Sequence, residues 1–292
     1  MLKKSVWKPI VFGLTWALCL VGLFVLMSFI GIKRASLLCR EVKVYIPGSA
    51  YFVDRQEINS ILHMSNNTLV GKKLEDINIH QLEKTLQANP FIEFAKVYTD
   101  MDGVVNVEVR QRQPILRIMN RFDQDFYVDQ NGLKIPLSAN FTAPVLVATG
   151  NIDEVFINRV DTLHTAMAKA LFKTADFIRK DSLWDAQIEQ ISVNANHEIE
   201  LVPRVGDQRI LLGSADSLDK KFKNLLIFYQ KALPNVGWNA YKVINIKYAN
   251  QVIGVKSDSL LKAEAAAALI KPKQRVEQDT NHINKNITQN IH

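Results

Sequence analysis

Cysteine is scarce in this sequence. There are two, Cys19 and Cys39, too few for a disulfide scaffold or a multi-cysteine zinc or iron–sulfur site. Glycine and proline are also sparse, at 12 and 9 of 292 residues, which excludes collagen-like and low-complexity architectures. The six histidines share no ligand spacing, and no H-E-x-x-H, G-x-S-x-G or phosphate-cradling glycine loop occurs. A mean hydropathy of −0.02 is too polar for a multi-span transporter. Asp100 and Asp102 are a conceivable catalytic carboxylate pair, but they flank a turn, where aspartate is favoured for backbone reasons.

One absence is positional. Pro9–Ile32 carries no charged side chain. As a helix this run measures about 36 Å, enough to cross a hydrocarbon core of about 30 Å. Lys3, Lys4 and Lys8 precede it, Lys33 and Arg34 close it, and Trp7 and Trp16 lie near its first interface. A cleaved signal peptide has a shorter apolar core, of about 7–15 residues. The run therefore reads as an uncleaved transmembrane helix, residues 9–32, after a cytoplasmic stub, residues 1–8. The short basic stub favours translocation of the rest of the chain. These five flanking charges account for most of the net charge of +7, which removes the argument for a nucleic-acid partner.

What is present is a foldable remainder, with 48% apolar and 22% charged residues over the whole chain. Residues 36–112 spell β-α-α-β-β. Glu41–Ile46 alternates with Val42, Val44 and Ile46 on one face, and Pro47-Gly48 ends it. Asp54 with Glu57 opens a helix striped by Ile58, Ile61 and Leu62. Asn78 caps a second, carrying Ile79, Leu82 and Leu86 and stopped by Asn89-Pro90. Phe91–Thr99 and Val104–Arg110 are strands joined at Asp102-Gly103, with Val105, Val107 and Val109 facing the helices. Cys39 is expected to be buried beside the first strand, with an intermolecular disulfide in an oxidising space as the alternative.

Residues 113–256 read as a β-rich domain with flanking helices. Strands are expected at Ile115–Arg121, Phe126–Asp129 and Pro144–Ala148, and a helix from Asn158 to about Lys180 striped by Val160, Leu163, Met167, Leu171 and Ile178. A meander follows over Ile188–Asn194, Glu198–Val202 and Arg209–Leu212. Asp216 opens a helix that Pro234 stops, and Tyr241–Tyr248 with Gln251–Lys256 forms a last hairpin. Beyond Ser257 the composition changes: Ala263–Ile270 is Ala-rich and compatible with a short helix, Asn, Gln and Lys are frequent from Lys271 on, and residues 257–292 read as a disordered tail. The fold class is α+β: one transmembrane helix, a small αβ domain and a β-rich domain, without a catalytic constellation.

Four segments in order carry a family resemblance. Asn89-Pro90-Phe91-Ile92 with Ala95 and Val97 resembles the NPxVxxAxV start of the second strand in POTRA domains. Gln111-Arg112-Gln113-Pro114-Ile115 resembles the ERxPxA junction of the bacterial division family FtsQ/DivIB. Tyr127-Val128-Asp129 with Gly132 resembles its YxxDxxG, and Pro136-Leu137-Ser138 with Pro144-Val145 through Thr149-Gly150 resembles its next segment. Gln111 stands where the family carries Glu, and Leu116 where it carries a small residue. The arrangement is closest to the version of the family found in Bacteroidota.

The resemblance implies a bitopic, single-pass scaffold of the divisome in the cell inner membrane, enriched at the division septum. Its bulk would be periplasmic, with neither cofactor, metal nor catalysis. The POTRA domain would help recruitment, and the C-terminal domain would bind FtsB- and FtsL-like coiled-coil membrane proteins and other divisome components. A partner segment would join as a strand at a sheet edge. Two other classes compete: a POTRA-type polypeptide-transport or chaperone-like protein, and an anchored cell-wall hydrolase. The first normally carries tandem POTRA units and a barrel, and this sequence shows neither.

In sequence the last strand is the natural edge, so the candidate partner-binding residues are Tyr248, Gln251, Val252, Ile253, Val255 and Lys256. Tyr248 is either an exposed aromatic anchor or a core side chain. Backbone pairing needs outward N–H groups, so a proline scan from Gln251 to Lys256 is expected to act at alternate positions.

Overall fold

A computed structural model describes residues 7–35, 37–48, 52–66, 69–248, 250–258 and 260–262. The final stretch read from sequence as a tail lies, from residue 263 on, outside the described residues. The chain divides into two compact units. One holds the chain up to Arg112 together with Ser138–Thr142, and the other holds Gln113–Leu137 and the chain from Ala143.

The first unit begins with helix α1, Trp7–Ala35. The sequence Ile10–Met27 within it has a mean hydropathy of 2.5, and none of it is buried. This is the one described helix long and apolar enough to cross a membrane.

The remainder of the unit follows the β-α-α-β-β order. Strand β1 is Glu41–Tyr45, helices α2 and α3 are Arg55–Asn66 and Ile79–Gln87, and strands β2 and β3 are Ile92–Thr99 and Val104–Gln111. The starts of both helices are capped by side-chain oxygens: Glu57 N–H donates to the Asp54 carboxylate at 2.7 Å, and Gln81 N–H to the Asn78 amide oxygen at 3.0 Å. The sheet order is β1-β3-β2, with β3 parallel to β1 and antiparallel to β2. Val105, Val107 and Val109 on β3 are buried together with Ile58, Leu82 and Leu86 of the helices, as the alternation requires. Ser138–Thr142 contributes Phe141, whose ring meets Phe52 edge-on at 5.0 Å, while Phe52 stacks on Phe91 at 5.2 Å. Cys39 is a free, buried thiol, and burial pushes its pKa up.

The second unit is one ten-stranded sheet under helices. Its elements are β4 Pro114–Met119, β5 Asp125–Asp129, β6 Leu133–Ile135, β7 Leu146–Gly150 and β8 Asp161–Thr162. Then come α4 Ala166–Arg179, α5 Ser182–Gln187, β9 Ile188–Val193, β10 Ile199–Pro203 and β11 Arg209–Gly213. Helices α6 Leu218–Lys231 and α7 Leu233–Val236 and strands β12 Tyr241–Asn245 and β13 Ile253–Lys256 complete it. The strand order is β13-β12-β11-β10-β9-β7-β4-β5-β6-β8. Three neighbouring pairs are parallel, β4 with β7, β7 with β9 and β11 with β12; α4 and α5 lead from β7 to β9, and α6 leads from β11 to β12.

One face of the sheet packs on the helices. Ile118, Ala148, Ile191, Leu201, Ile210 and Ile244 join Leu171, Ile178, Phe222 and Leu225 in a single core. Several alternate positions are polar and pair across strands: Arg117 with Asp125, Gln190 with Thr149 at 2.8 Å, and Arg209 with Glu200 at 3.2 Å. Trp184 packs against both Phe222 and Tyr229 in this core, and burial pushes the Tyr229 phenol up to about 12.

Several sequence expectations are corrected here. The helix expected from Asn158 starts only at Ala166. Asn158 has φ +58°, outside the helical region, and Asp161–Thr162 pairs with β6 as β8. Thr165 then caps the helix by accepting from Ala168 N–H at 3.2 Å. Pro234 does not simply end a helix but sits in the first turn of α7, where its missing N–H costs little. Strand β6 and helix α5 were not anticipated. The last strand begins at Ile253, not Gln251, because Gln251 N–H closes a turn on the Tyr248 carbonyl at 3.4 Å.

Candidate functional site

Strand β13 ends the ten-stranded sheet. It pairs antiparallel with β12, with Val255 opposite Val243 and Ile253 opposite Asn245. Among the described residues no strand lies on its outer side. Directions of the backbone groups follow from two bonds. Ser257 N–H donates inward to the Ala240 carbonyl at 2.8 Å, and on the far side of β12 Ile246 N–H donates to Leu211 at 3.0 Å. Alternation along the strand then turns the N–H groups of Ile253 and Val255 toward β12, and those of Gly254 and Lys256 outward.

The two faces of β13 differ. Ile253 and Val255 stand on the open face, 43% and 50% exposed, beside half-buried Val243 and Leu211 on β12 and β11. Gly254 lies on the helix face. A Cβ there would sit 2.6 Å from Cδ1 and Cε1 of Tyr241, whose ring covers this point and meets Phe228 of α6 at 5.1 Å. Glycine is required by that close approach.

The sequence-selected residues separate into three groups. Ile253, Val255 and Lys256 are on the edge strand. Val252 precedes it and packs partly against the core, and Gln251 has its N–H committed to the turn. Tyr248 is in that turn and 51% exposed, so it is not a core side chain. Gly254, Tyr241 and Phe228 were missed, although a lone glycine within Val-Ile-Gly-Val was a readable signal of close backbone approach. Near the end of β12, Lys247 pairs with Glu198 of the β9–β10 turn. The pair holds the Lys247 ammonium above its ordinary pKa and the Glu198 carboxyl below its own.

Among the described residues no group of three or more His, Cys, Asp or Glu side chains could hold a metal. An edge strand with exposed aliphatic side chains and outward N–H groups can extend a sheet; it holds no nucleophile–base geometry. Two family descriptions match the chain: "FtsQ/DivIB, C-terminal related" over residues 113–255, and "POTRA-like domain" over residues 37–110. The chain is an FtsQ/DivIB-type protein. No curated protein matches it at a significant level. Neither description matched to this FtsQ/DivIB-type chain is enzymatic, and the fold is α+β with an apolar N-terminal helix, a POTRA-like domain and a β-rich sheet domain. Family and apolar helix together support a membrane-anchored cell-division protein.

Proposed function

We propose that this FtsQ/DivIB-type protein is a non-catalytic scaffold of the divisome. Helix α1 crosses the inner membrane once, residues 1–8 are cytoplasmic, and both units act in the periplasm at the septum. The POTRA-like unit serves recruitment. The second unit binds FtsB- and FtsL-like coiled-coil membrane proteins, with a partner segment adding as a strand along β13.

The observation that carries this reading is a coincidence of position. The FtsQ/DivIB match runs to residue 255, inside β13, and β13 is the terminal strand of the sheet that the match covers. Strand addition there gives affinity through backbone bonds and specificity through the side chains of alternate residues. The test is capture of the chain's own FtsB-like partner by full-length protein and by a chain truncated after Ser257. Equal or stronger capture by the truncated chain supports β13 as the site; complete loss places the site in the tail and refutes it. A reporter fused after Ile270 that is active only in the cytoplasm would refute the topology.

A further inference from the structure

Three apolar side chains are exposed at one end of the first unit: Leu38 at 51%, Val70 at 55% and Met101 at 78%. They lie on three separate segments, and the backbone brings those segments together. Gly71 N–H donates to the Cys39 carbonyl at 2.8 Å and Cys39 N–H to the Lys72 carbonyl at 2.7 Å, so the loop bearing Val70 is laced to the stretch bearing Leu38. On the other side Arg40 N–H donates to the Gly103 carbonyl at 2.8 Å. Gly103 has φ +83°, and a Cβ on it would sit 2.6 Å from the Leu38 carbonyl oxygen. The β2–β3 hairpin tip that carries Met101 is therefore pressed onto Leu38.

This end of the unit is also where α1 leaves it. Helix α1 runs to Ala35, and three residues further on is Leu38. A chain reaches at most about 3.6 Å per residue, so Leu38 is within about 11 Å of the helix end. The headgroup region on each side of a bilayer is about 5–8 Å deep, on top of a hydrocarbon core of about 30 Å. Isolated exposed apolar side chains need no explanation, but three converging on the exit of a membrane-spanning helix share one neighbour, the lipid.

We infer that this end of the first unit rests in the bilayer interface, with Leu38, Val70 and Met101 inserted as apolar tips. The inference depends on the reading that α1 spans the membrane. Charges of both signs rim the tips: Arg40, Lys72 and Lys73 on one hand, and Glu41, Glu75, Asp76, Asp100 and Asp102 on the other. The exposed Asp100 carboxylate accepts Met101 N–H at 2.6 Å. With charge of both signs at the rim, apolar insertion carries the contact, and it persists on zwitterionic lipid and in high salt. The consequence is that the POTRA-like unit is held against the membrane and is not swung on a free linker.

The test uses the full chain in phosphatidylcholine bilayers, with nitroxide labels at Leu38→Cys, Val70→Cys or Met101→Cys in a Cys19→Ser background. Buried Cys39 is left in place. Collision with lipid-soluble oxygen is compared with collision with an aqueous nickel chelate. Labels at all three tips are expected about 5–10 Å into the headgroup–acyl boundary, the depth of interfacial apolar groups, whatever the salt. A label at His80→Cys, a position with a 91% exposed side chain, should remain in water. Tips as aqueous as position 80, while a label on native Cys19 reports lipid, would overturn the inference and leave the spanning helix intact. An aqueous Cys19 would overturn both. Depth seen only with anionic lipid at low salt would also overturn it, by making charge the cause.

Discussion

The side-chain amide of Gln111 bonds both backbone groups of Val53. Val53 N–H donates to its Oε1 at 3.0 Å, and its Nε2 donates to the Val53 carbonyl at 3.2 Å. Both residues are buried, so the bridge fixes the chain just before α2 to the end of β3. The FtsQ/DivIB junction motif carries Glu at this position, and a carboxylate can accept but cannot donate. Gln111→Glu should therefore leave the Val53 carbonyl unsatisfied and cost about 1–3 kcal/mol at neutral pH, read from thermal or urea unfolding. The buried carboxyl of that variant binds its proton more tightly in the folded than in the unfolded chain. Its deficit relative to wild type should shrink as pH falls through the carboxylate range.

The second prediction concerns a buried ion pair in the other unit. Lys134 Nζ lies 2.7 Å from Glu154 Oε1, and both side chains are 1% exposed. Glu154 also accepts from Thr165 N–H at 2.7 Å, Thr165 Oγ1–H at 2.8 Å and His164 N–H at 3.1 Å. Burial pushes the Glu154 carboxyl up, but Lys134 and these bonds outweigh it and hold the group below the ordinary carboxylate range. Stability from the network is thus full above the unfolded value of about 4.3 and is lost as pH falls through the lower folded value. Glu154→Gln should flatten that acid limb. Lys134→Met strands a buried carboxylate and should cost about 3–5 kcal/mol in an unfolding titration at neutral pH.

Val107 is buried on the same face of β3 as Val105 and Val109. Val107→Ala should cost about 1–2.5 kcal/mol as a cavity-forming truncation. Val107→Asp should unfold the domain, since an unpaired carboxylate would be desolvated. Wild-type thermal stability of the Asp variant would put β3 out of register by one residue.

At β13 two kinds of substitution should separate. Val255→Pro removes an inward N–H and should loosen the β12–β13 pair, so it reports on the fold and not on the partner. Gly254→Ala pushes a methyl group against Tyr241 and should lower stability by about 1–3 kcal/mol. Ile253→Ser and Val255→Ser act on the open face alone. They should leave the melting temperature nearly unchanged and still weaken capture of the FtsB-like partner. Unaltered capture by the Ser variants would exclude the open face from the contact.

How much of this could be read in the sequence depended on how local the determinants are. The first unit was legible because each element has its own punctuation: Asp54 and Asn78 at the starts of α2 and α3, Asn89-Pro90 after α3 and Gly103 in the hairpin. The α4 boundary was misread because Val160 and Leu163 keep the spacing of a helical stripe. The ligand that holds His164 and Thr165 out of the helix, Glu154, lies ten and eleven residues away. Nothing near Lys134 in sequence announces that it is buried, since its partner is twenty residues on. Strands β6 and β8 are three and two residues long, too short for an alternation to register. The position of β13 at the end of the sheet was legible as the last strand before the composition changes. The cover that Tyr241 gives it was not, because α6 brings Phe228 to that point from a distant stretch of chain.

The two ends of the large sheet are unequal. At one end β8 offers two residues, too few to template a neighbour; at the other β13 offers four. Among the described residues the sheet is open to a further strand at a single end, which fixes its valence. It admits one added strand per chain, and two copies that met through β13 would each use up the other's site. If a partner strand adds at β13 as proposed, a second copy and that partner would exclude one another there, and self-pairing through β13 would act as a reservoir that mass action empties as the partner accumulates.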